Sequence, residues 1–141
     1  MGQAQGVLVI TRRQLSEMIA HCLACYPEEG CGLLSGDAAT GVVVAVHPMR
    51  NAAASAQVYE LDPREVLQVD RGAEASGHSL MGVFHSHTHT DPYPSPTDVR
   101  QAPDPGWHYV LVSLRHDIAS TRSYRIEGGN ICEETVVVLG K

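Results

Sequence analysis

The sequence LMGVFHSHTHTDPYPSPTD, residues 80–98, joins an apolar run to a group of polar side chains that can bind a metal. The apolar part, residues 80–84, predicts a buried strand. His85 and His87 follow at its end, and because side chains alternate across a strand, both imidazoles leave it on the same face. Two imidazole nitrogens on one rigid face provide half of the ligands of a zinc site.

A second group of polar residues follows after two prolines. Ser95, Pro96 and Asp98 are typical of a helix start, because serine caps a helix, proline suits its first position and an acid favours its positive end. Asp98 can instead be a third metal ligand, and the two roles compete for one carboxylate. His89 is an alternative third ligand because it keeps the strand parity of the earlier histidines, although residues 90–92 indicate that the strand has already ended.

The rest of the chain alternates helical and strand patterns, which predicts an α+β fold in one domain over residues 1–141. Thr11 begins a helix, with Gln14 in the position of a capping box. Asp62 and Pro63 begin a second helix, which ends at Gly72 or Gly77. The predicted strands cover residues 7–10, 31–36, 41–46, 58–61, 80–84, 107–114, 120–126 and 131–139.

Composition excludes several classes of function. The net charge is −6 and Lys and Arg do not cluster, so a nucleic-acid partner is not expected. No apolar run approaches the ~20 residues that span a bilayer, and the start lacks a signal-peptide pattern, so we expect a cytoplasmic protein without a membrane partner. An oligomer is possible but is not indicated. Four cysteines do not make a disulfide framework in such a chain, and we interpret Cys22 and Cys25 as core residues of the first helix.

The polar residues around the apolar strand resemble the JAMM motif of the MPN metallopeptidases. In that motif a His-x-His pair is followed after seven residues by serine and, after two more, by aspartate. The motif also contains an upstream glutamate near a strand. The matching residues are Glu29, His85, His87, Ser95 and Asp98. The resemblance implies a single MPN domain, which is cytidine-deaminase-like and has a curved, mostly antiparallel sheet with flanking helices.

The resemblance also implies a role for each residue. His85, His87 and Asp98 bind Zn2+ and leave a fourth position for water, as in catalytic zinc sites. Glu29 is the general acid and base, and only the resemblance selects it over the glutamate before it. Ser95 supports the oxyanion. Many MPN proteins lack the metal residues and serve as scaffolds; this chain retains them, which argues against a non-catalytic binding module.

Segments outside the motif resemble the small bacterial Mec-type branch of the family. They include residues 7–10, 59–62, 93–95, 108–113 and 123–126. That branch hydrolyses the bond after the terminal Gly-Gly of a ubiquitin-like sulfur-carrier protein, and it releases cysteine or trims the tail. The resemblance therefore implies a hydrolase acting in sulfur transfer and cysteine biosynthesis.

The alternative enzyme is a general deubiquitinase-like isopeptidase. The eukaryotic deubiquitinases of the family carry insertions near the site. Only eight residues separate Asp98 from Trp107, which leaves little room for such an insertion there. The short connection favours the bacterial branch.

Overall fold

The computed structural model describes residues 6–140, which form seven strands and three helices. The strands are β1 (Val7–Thr11), β2 (Cys31–Asp37), β3 (Val42–Met49), β4 (Ser79–His87), β5 (His108–Ser113), β6 (Ser120–Glu127) and β7 (Asn130–Leu139). The helices are α1 (Arg12–Cys25), α2 (Pro63–Ala75) and α3 (Pro96–Arg100). Within residues 6–140 no helix is both long and apolar enough to cross a membrane.

The strands close into a barrel in the order β1-β3-β2-β4-β5-β6-β7. The pairs β2–β3, β2–β4, β5–β6 and β6–β7 are antiparallel, whereas β1–β3, β1–β7 and β4–β5 are parallel. This mixed α/β domain, with a sheet and flanking helices, confirms the predicted fold class. The predicted domain over residues 1–141 also includes residues 1–5 and 141, which lie outside the described part of the chain.

The central strands β2 and β4 are buried on both faces. Along β2, the side chains of Cys31 and Leu33 enter one apolar cluster and that of Leu34 enters the other. The helix α1 covers the second cluster with its buried residues Met18 and Cys22. Because both faces are covered, these strands carry continuous apolar runs instead of alternating ones. They form a rigid frame for the residues at their ends.

The helix boundaries follow the capping signals of the sequence. Thr11 accepts a hydrogen bond from the backbone N–H of Gln14 at 3.0 Å, and the Gln14 side chain accepts one from Thr11 at 2.9 Å, which confirms the predicted capping box. The helix α2 starts with Pro63, continues through Gly72 and ends at Ala75. Gly77 follows with φ of +80°, the left-handed conformation that terminates many helices.

The predicted strand at residues 58–61 is wrong, because this segment is not part of the sheet. Its backbone bonds to the loop after β3, where the Asn51 side chain and the N–H of Ala52 are its partners, instead of to a neighbouring strand. The N–H of Glu60 donates to Asn51 Oδ1 at 3.0 Å, and the carbonyl of Val58 accepts from Asn51 Nδ2 at 3.0 Å. A side-chain amide therefore replaces the ladder that the apolar pattern led us to expect.

Candidate metal centre

The two histidines of the His-x-His pair end the central strand β4. His85 lies opposite Cys31 of β2 and Leu111 of β5, so strands hold it from both sides. Both histidines are buried, with 3% of His85 and 5% of His87 exposed, and the centroids of the two imidazole rings are 5.3 Å apart. The ring of Tyr59 stacks on His85 at a centroid distance of 4.4 Å. The strand and this stacking leave the imidazoles little freedom to turn.

Asp98 reaches both histidines from the first turn of α3. Its Oδ1 lies 3.1 Å from His85 Nε2, and its Oδ2 lies 2.9 Å from His87 Nε2. The same Oδ2 accepts the backbone N–H of Ser95 at 2.9 Å, while Ser95 Oγ accepts the N–H of Asp98 at 3.1 Å. Capping the helix and facing the histidines were expected to compete for Asp98, but its carboxylate does both at once.

The hydrogen bonds of His87 indicate that a proton or a metal ion lies between this ring and Asp98. His87 Nδ1 is 2.9 Å from the carbonyl oxygen of Asp91, which can only accept, so Nδ1 carries the hydrogen. In the neutral ring, Nε2 then points a lone pair at the carboxylate of Asp98, 2.9 Å away. Either a proton or a metal ion between these atoms removes the repulsion.

His85 supplies a second observation in favour of a metal. Its Nδ1 and Nε2 are buried and have no hydrogen-bond partner among the described residues. Nε2 is close to Asp98 Oδ1, but the two atoms lack the alignment of a hydrogen bond. A buried nitrogen without a partner is costly unless it binds an ion. One ligand atom from each of His85, His87 and Asp98 lies within 4.8 Å of the others, and two imidazoles with one carboxylate suit zinc.

The titration of the three side chains reflects this closeness. Burial lowers the pKa of His85. Burial acts in the same direction on His87, but Asp98 and the Asp91 carbonyl outweigh it and raise the pKa of that ring. Burial acts to raise the pKa of Asp98, whereas the adjacent imidazoles of His85 and His87 hold it well below its usual range. The carboxylate is therefore ionised and available as a ligand at neutral pH.

Glu29 lies beside this cluster, just before β2. Only 4% of it is exposed, whereas its neighbour Glu28 is half-buried. Burial raises the pKa of Glu29 to about 8, and the charges of His87 and Asp98 also act on it. Its Oε1 has no hydrogen-bond partner within residues 6–140. A buried carboxyl group with a free oxygen next to possible metal ligands is suited to moving a proton.

Ser95 brings a hydroxyl group to the same end of the sheet. It is the N-cap of α3, and its Oγ accepts from the backbone of Asp98. A hydroxyl carries one hydrogen as well as its acceptor lone pairs. The hydrogen of Ser95 is therefore left to donate to another group, such as an oxyanion.

His89, the alternative third ligand, does not join the cluster. Its Nδ1 is 2.9 Å from Thr88 Oγ1, and its Nε2 is 3.3 Å from the hydroxyl of Tyr26. Thr88 Oγ1 gives its own hydrogen to the carbonyl of Ala56, so Nδ1 of His89 is the donor in the first pair. The end of β4 at His87 explains the difference, because strand parity stops there.

Three residues near the centre were not assigned a role from the sequence. Tyr59 stacks on a histidine, while Asn51 and Ser86 bond to the backbone around Glu29. Ser86 lies between the two histidines and faces the other side of β4, so strand alternation was the one signal that pointed to it. Of the paired cysteines, Cys22 is in the core as predicted, and Cys25 is only half-buried.

Comparison with known proteins identifies relatives along most of the chain. Residues 11–127 match the model of the Prok-JAB family, described as prokaryotic homologs of the JAB domain. The chain is 42% identical over 137 residues to the CysO-cysteine peptidase of Mycobacterium tuberculosis, covering 94% of this chain and 92% of that protein. It is 43% identical over 88 residues to a desampylase of Haloferax volcanii, covering 62% and 63%.

A solved structure has the same fold. The solution structure of a Desulfitobacterium hafniense protein superposes with a TM-score of 0.87 at 32% sequence identity. The match covers 96% of this chain and 94% of the other.

Proposed function

Because the chain belongs to the Prok-JAB family, the prokaryotic homologs of the JAB domain, we propose that it is a zinc peptidase that cleaves a ubiquitin-like sulfur carrier after its terminal Gly-Gly. Hydrolysis of peptide or isopeptide bonds is the activity of the named relatives. The observation that carries the zinc chemistry is the convergence of His85, His87 and Asp98, whose ligand atoms lie within 4.8 Å of one another. The substrate rests on the relationship to the mycobacterial peptidase.

His85, His87 and Asp98 would hold the zinc ion. When bound there, zinc supplies Lewis-acid chemistry and lowers the pKa of a water molecule at its open position to about 7. The pKa values of the three side chains favour this role, since Asp98 is ionised and burial keeps His85 neutral. The bond from His87 to the Asp91 carbonyl leaves Nε2 as the ligand atom.

Glu29 and Ser95 carry the remaining steps. Glu29 takes a proton from the attacking water and returns it to the amine that leaves. Burial raises its pKa toward neutral, where the group can both accept and donate a proton, and the charge of a bound metal ion would lower it again. Ser95 donates its hydroxyl hydrogen to the oxyanion of the tetrahedral intermediate while its lone pair accepts from Asp98.

The segment around Tyr59 is suited to an extended Gly-Gly tail. Val58 and Glu60, two residues apart, both direct backbone groups to Asn51, as in a strand. In an extended segment the backbone groups of the intervening residue point to the opposite side, and that residue here is Tyr59, whose ring stacks on His85. Pairing between backbones binds an extended tail without side chains, and glycine allows a close approach to the metal. Residues 88–94 could form the opposite wall.

The names of two relatives support a protein partner, since one is a desampylase and the other is a probable protease that cleaves TtuB-protein conjugates. We propose that this partner is a ubiquitin-like sulfur carrier, that the reaction serves cysteine biosynthesis, and that the enzyme acts in the cytoplasm.

The test uses a ubiquitin-like carrier extended by cysteine after its terminal Gly-Gly. We expect mass spectrometry to show loss of cysteine alone, and chelation of the metal to abolish it. Glu29→Gln should slow the reaction by about 10²–10⁴-fold, while the matched control Glu28→Gln retains it.

Two outcomes would count against the proposal. If the carrier stays intact while a ubiquitin chain is cut efficiently, the enzyme is a general deubiquitinase-like isopeptidase. If Glu28→Gln is inactive and Glu29→Gln is not, the acid and base role belongs to Glu28.

A further inference from the structure

The backbone of Glu29 is held on both sides although it lies outside any helix or strand. Its N–H donates to the carbonyl of Ser55 at 2.8 Å. Its carbonyl accepts from Nδ2 of the buried Asn51 at 3.0 Å. An irregular segment before a strand would otherwise leave both groups to water. Glu29 is therefore fixed by the loop that follows β3.

The next residue, Gly30, is held by one serine of β4. The N–H of Gly30 donates to Ser86 Oγ at 2.8 Å, and the N–H of Ser86 donates to the Gly30 carbonyl at 2.9 Å. Ser86 is fully buried. Glycine is required here, since a Cβ would lie 2.8 Å from the Cα of Cys22. The two bonds join the residue after Glu29 to the strand that carries the histidines.

The carboxyl group of Glu29 has little else to orient it. No described residue hydrogen-bonds to its Oε1, which is buried. The direction of the side chain must therefore come from its backbone. Ser86 lies between His85 and His87 on β4, which pairs with a strand on each side. The two bonds from Gly30 to Ser86 therefore fix the position of Glu29 relative to both histidines.

We propose that Asn51 and Ser86 are positioning residues that hold the carboxyl group of Glu29 where it can exchange a proton with water and with the leaving amine. Asn51 also donates to Val58 and accepts from Glu60, so the same amide fixes the segment proposed to pair with the substrate. This inference rests on the proposed role of Glu29. A misplacement of about 1 Å at a catalytic group can cost about 100-fold in rate.

The test is a double-mutant cycle measured on the carrier that ends in Gly-Gly-Cys. Ser86→Ala should lower kcat by about 10- to 100-fold with KM and zinc content retained. In the Glu29→Gln background the same change should alter kcat by less than about twofold, because positioning acts only through the carboxylate. Ser79→Ala, an exposed serine on the same strand, is the matched control. Equal losses in both backgrounds would overturn the inference.

A second variant and a mutation-free measurement keep the test decisive if Ser86→Ala does not fold. Asn51→Asp keeps the shape and the acceptor oxygen but loses the N–H groups that bind the carbonyls of Glu29 and Val58. Its loss of kcat should depend on Glu29 in the same way, whereas a change in KM reports the loss of the bond to Val58. In the wild-type protein, amide exchange followed by NMR should be slow for Glu29 and Gly30. Fast exchange at both amides would contradict the inference. Unchanged turnover in Glu29→Gln would instead contradict the proposed function. The amide exchange rates would still report whether the backbone of Glu29 and Gly30 is held in place.

Discussion

At the scale of single residues, two adjacent glutamates show how position creates chemistry. Glu28 is half-buried, whereas Glu29 is almost completely buried beside ionisable groups. Nothing in the local composition separates them, because each is a glutamate before the same strand. The difference comes from the loop and the strand that hold the backbone of Glu29, and these lie far away in sequence.

The raised pKa of Glu29 predicts how the stability of the metal-free protein depends on pH. The folded state holds the proton up to about pH 8, whereas the unfolded chain releases it near 4.5. Folding therefore binds a proton in this range, and stability falls as pH rises. The raised pKa of His87 acts with the same sign above 6.5.

We expect the free energy of unfolding of the metal-free protein to fall between pH 6.5 and 8, by up to roughly 1 kcal/mol per pH unit from Glu29. Denaturant unfolding in the presence of a chelator measures it. The Glu29→Gln variant lacks this titration, so its stability should depend less on pH. Identical slopes in both proteins would show that Glu29 does not titrate in this window.

At the scale of elements, the short helix α3 positions the carboxylate of Asp98 against the two histidines. It has five residues, and its first turn contains a capping box formed by Ser95 and Asp98. The hydrogen bonds of the cap fix the carboxylate that faces both histidines. A helix this short does not persist by itself, so its position depends on these bonds and on the packing of Val99 against the apolar core.

The serine of this cap gives a prediction about two separate effects. Ser95→Ala should lower the free energy of unfolding by about 1 kcal/mol through loss of the cap. It should also lower turnover by about 10²-fold or more through loss of the oxyanion donor. Ser95→Thr keeps a hydroxyl group and should retain most of both. Zinc content separates the causes, because a loss of turnover that only follows loss of metal would mean that Ser95 acts solely by holding Asp98.

The elements that local patterns define were predictable from the sequence, and those that depend on distant partners were not. The apolar run before His85 and the caps at Thr11 and Asp62 gave the strand and both long helices at nearly the right bounds. Residues 58–61 have a strand-like pattern, but their hydrogen bonds go to Asn51 and Ala52 in the loop after β3 instead of to a strand. A buried side-chain amide seven to nine residues away leaves no periodic signal.

At the scale of the whole molecule, the barrel is closed by contacts between the two ends of the described chain. The strand β1 pairs in parallel with β7 and also with β3, and neither pairing can be read from local pattern. The strand β4, which carries the histidines, pairs in parallel with β5 on one side and antiparallel with β2 on the other. The candidate ligands were predicted from their spacing and from the family resemblance, but their convergence depends on this arrangement of strands.

Zinc should also stabilise the whole fold, because its three expected ligands join the central strand β4 to α3 across the break at residues 88–95. We expect about one equivalent of zinc in protein purified without chelator. A ligand that binds only the folded state at 100 times its Kd adds about 2.7 kcal/mol, which for a domain of this size is a shift of roughly 10 °C in Tm. Elemental analysis and thermal unfolding with and without chelator measure these two quantities.

The control for this prediction is the double variant His85→Ala, His87→Ala. It removes two of the three ligand side chains, so its Tm should not respond to zinc or to chelator. Full retention of zinc by the double variant would show that the metal binds elsewhere. If chelation removes zinc but leaves the wild-type Tm unchanged, the ion does not stabilise the folded state. The pairing of Asp98 with protonated His87 would then hold β4 and α3 together without a metal.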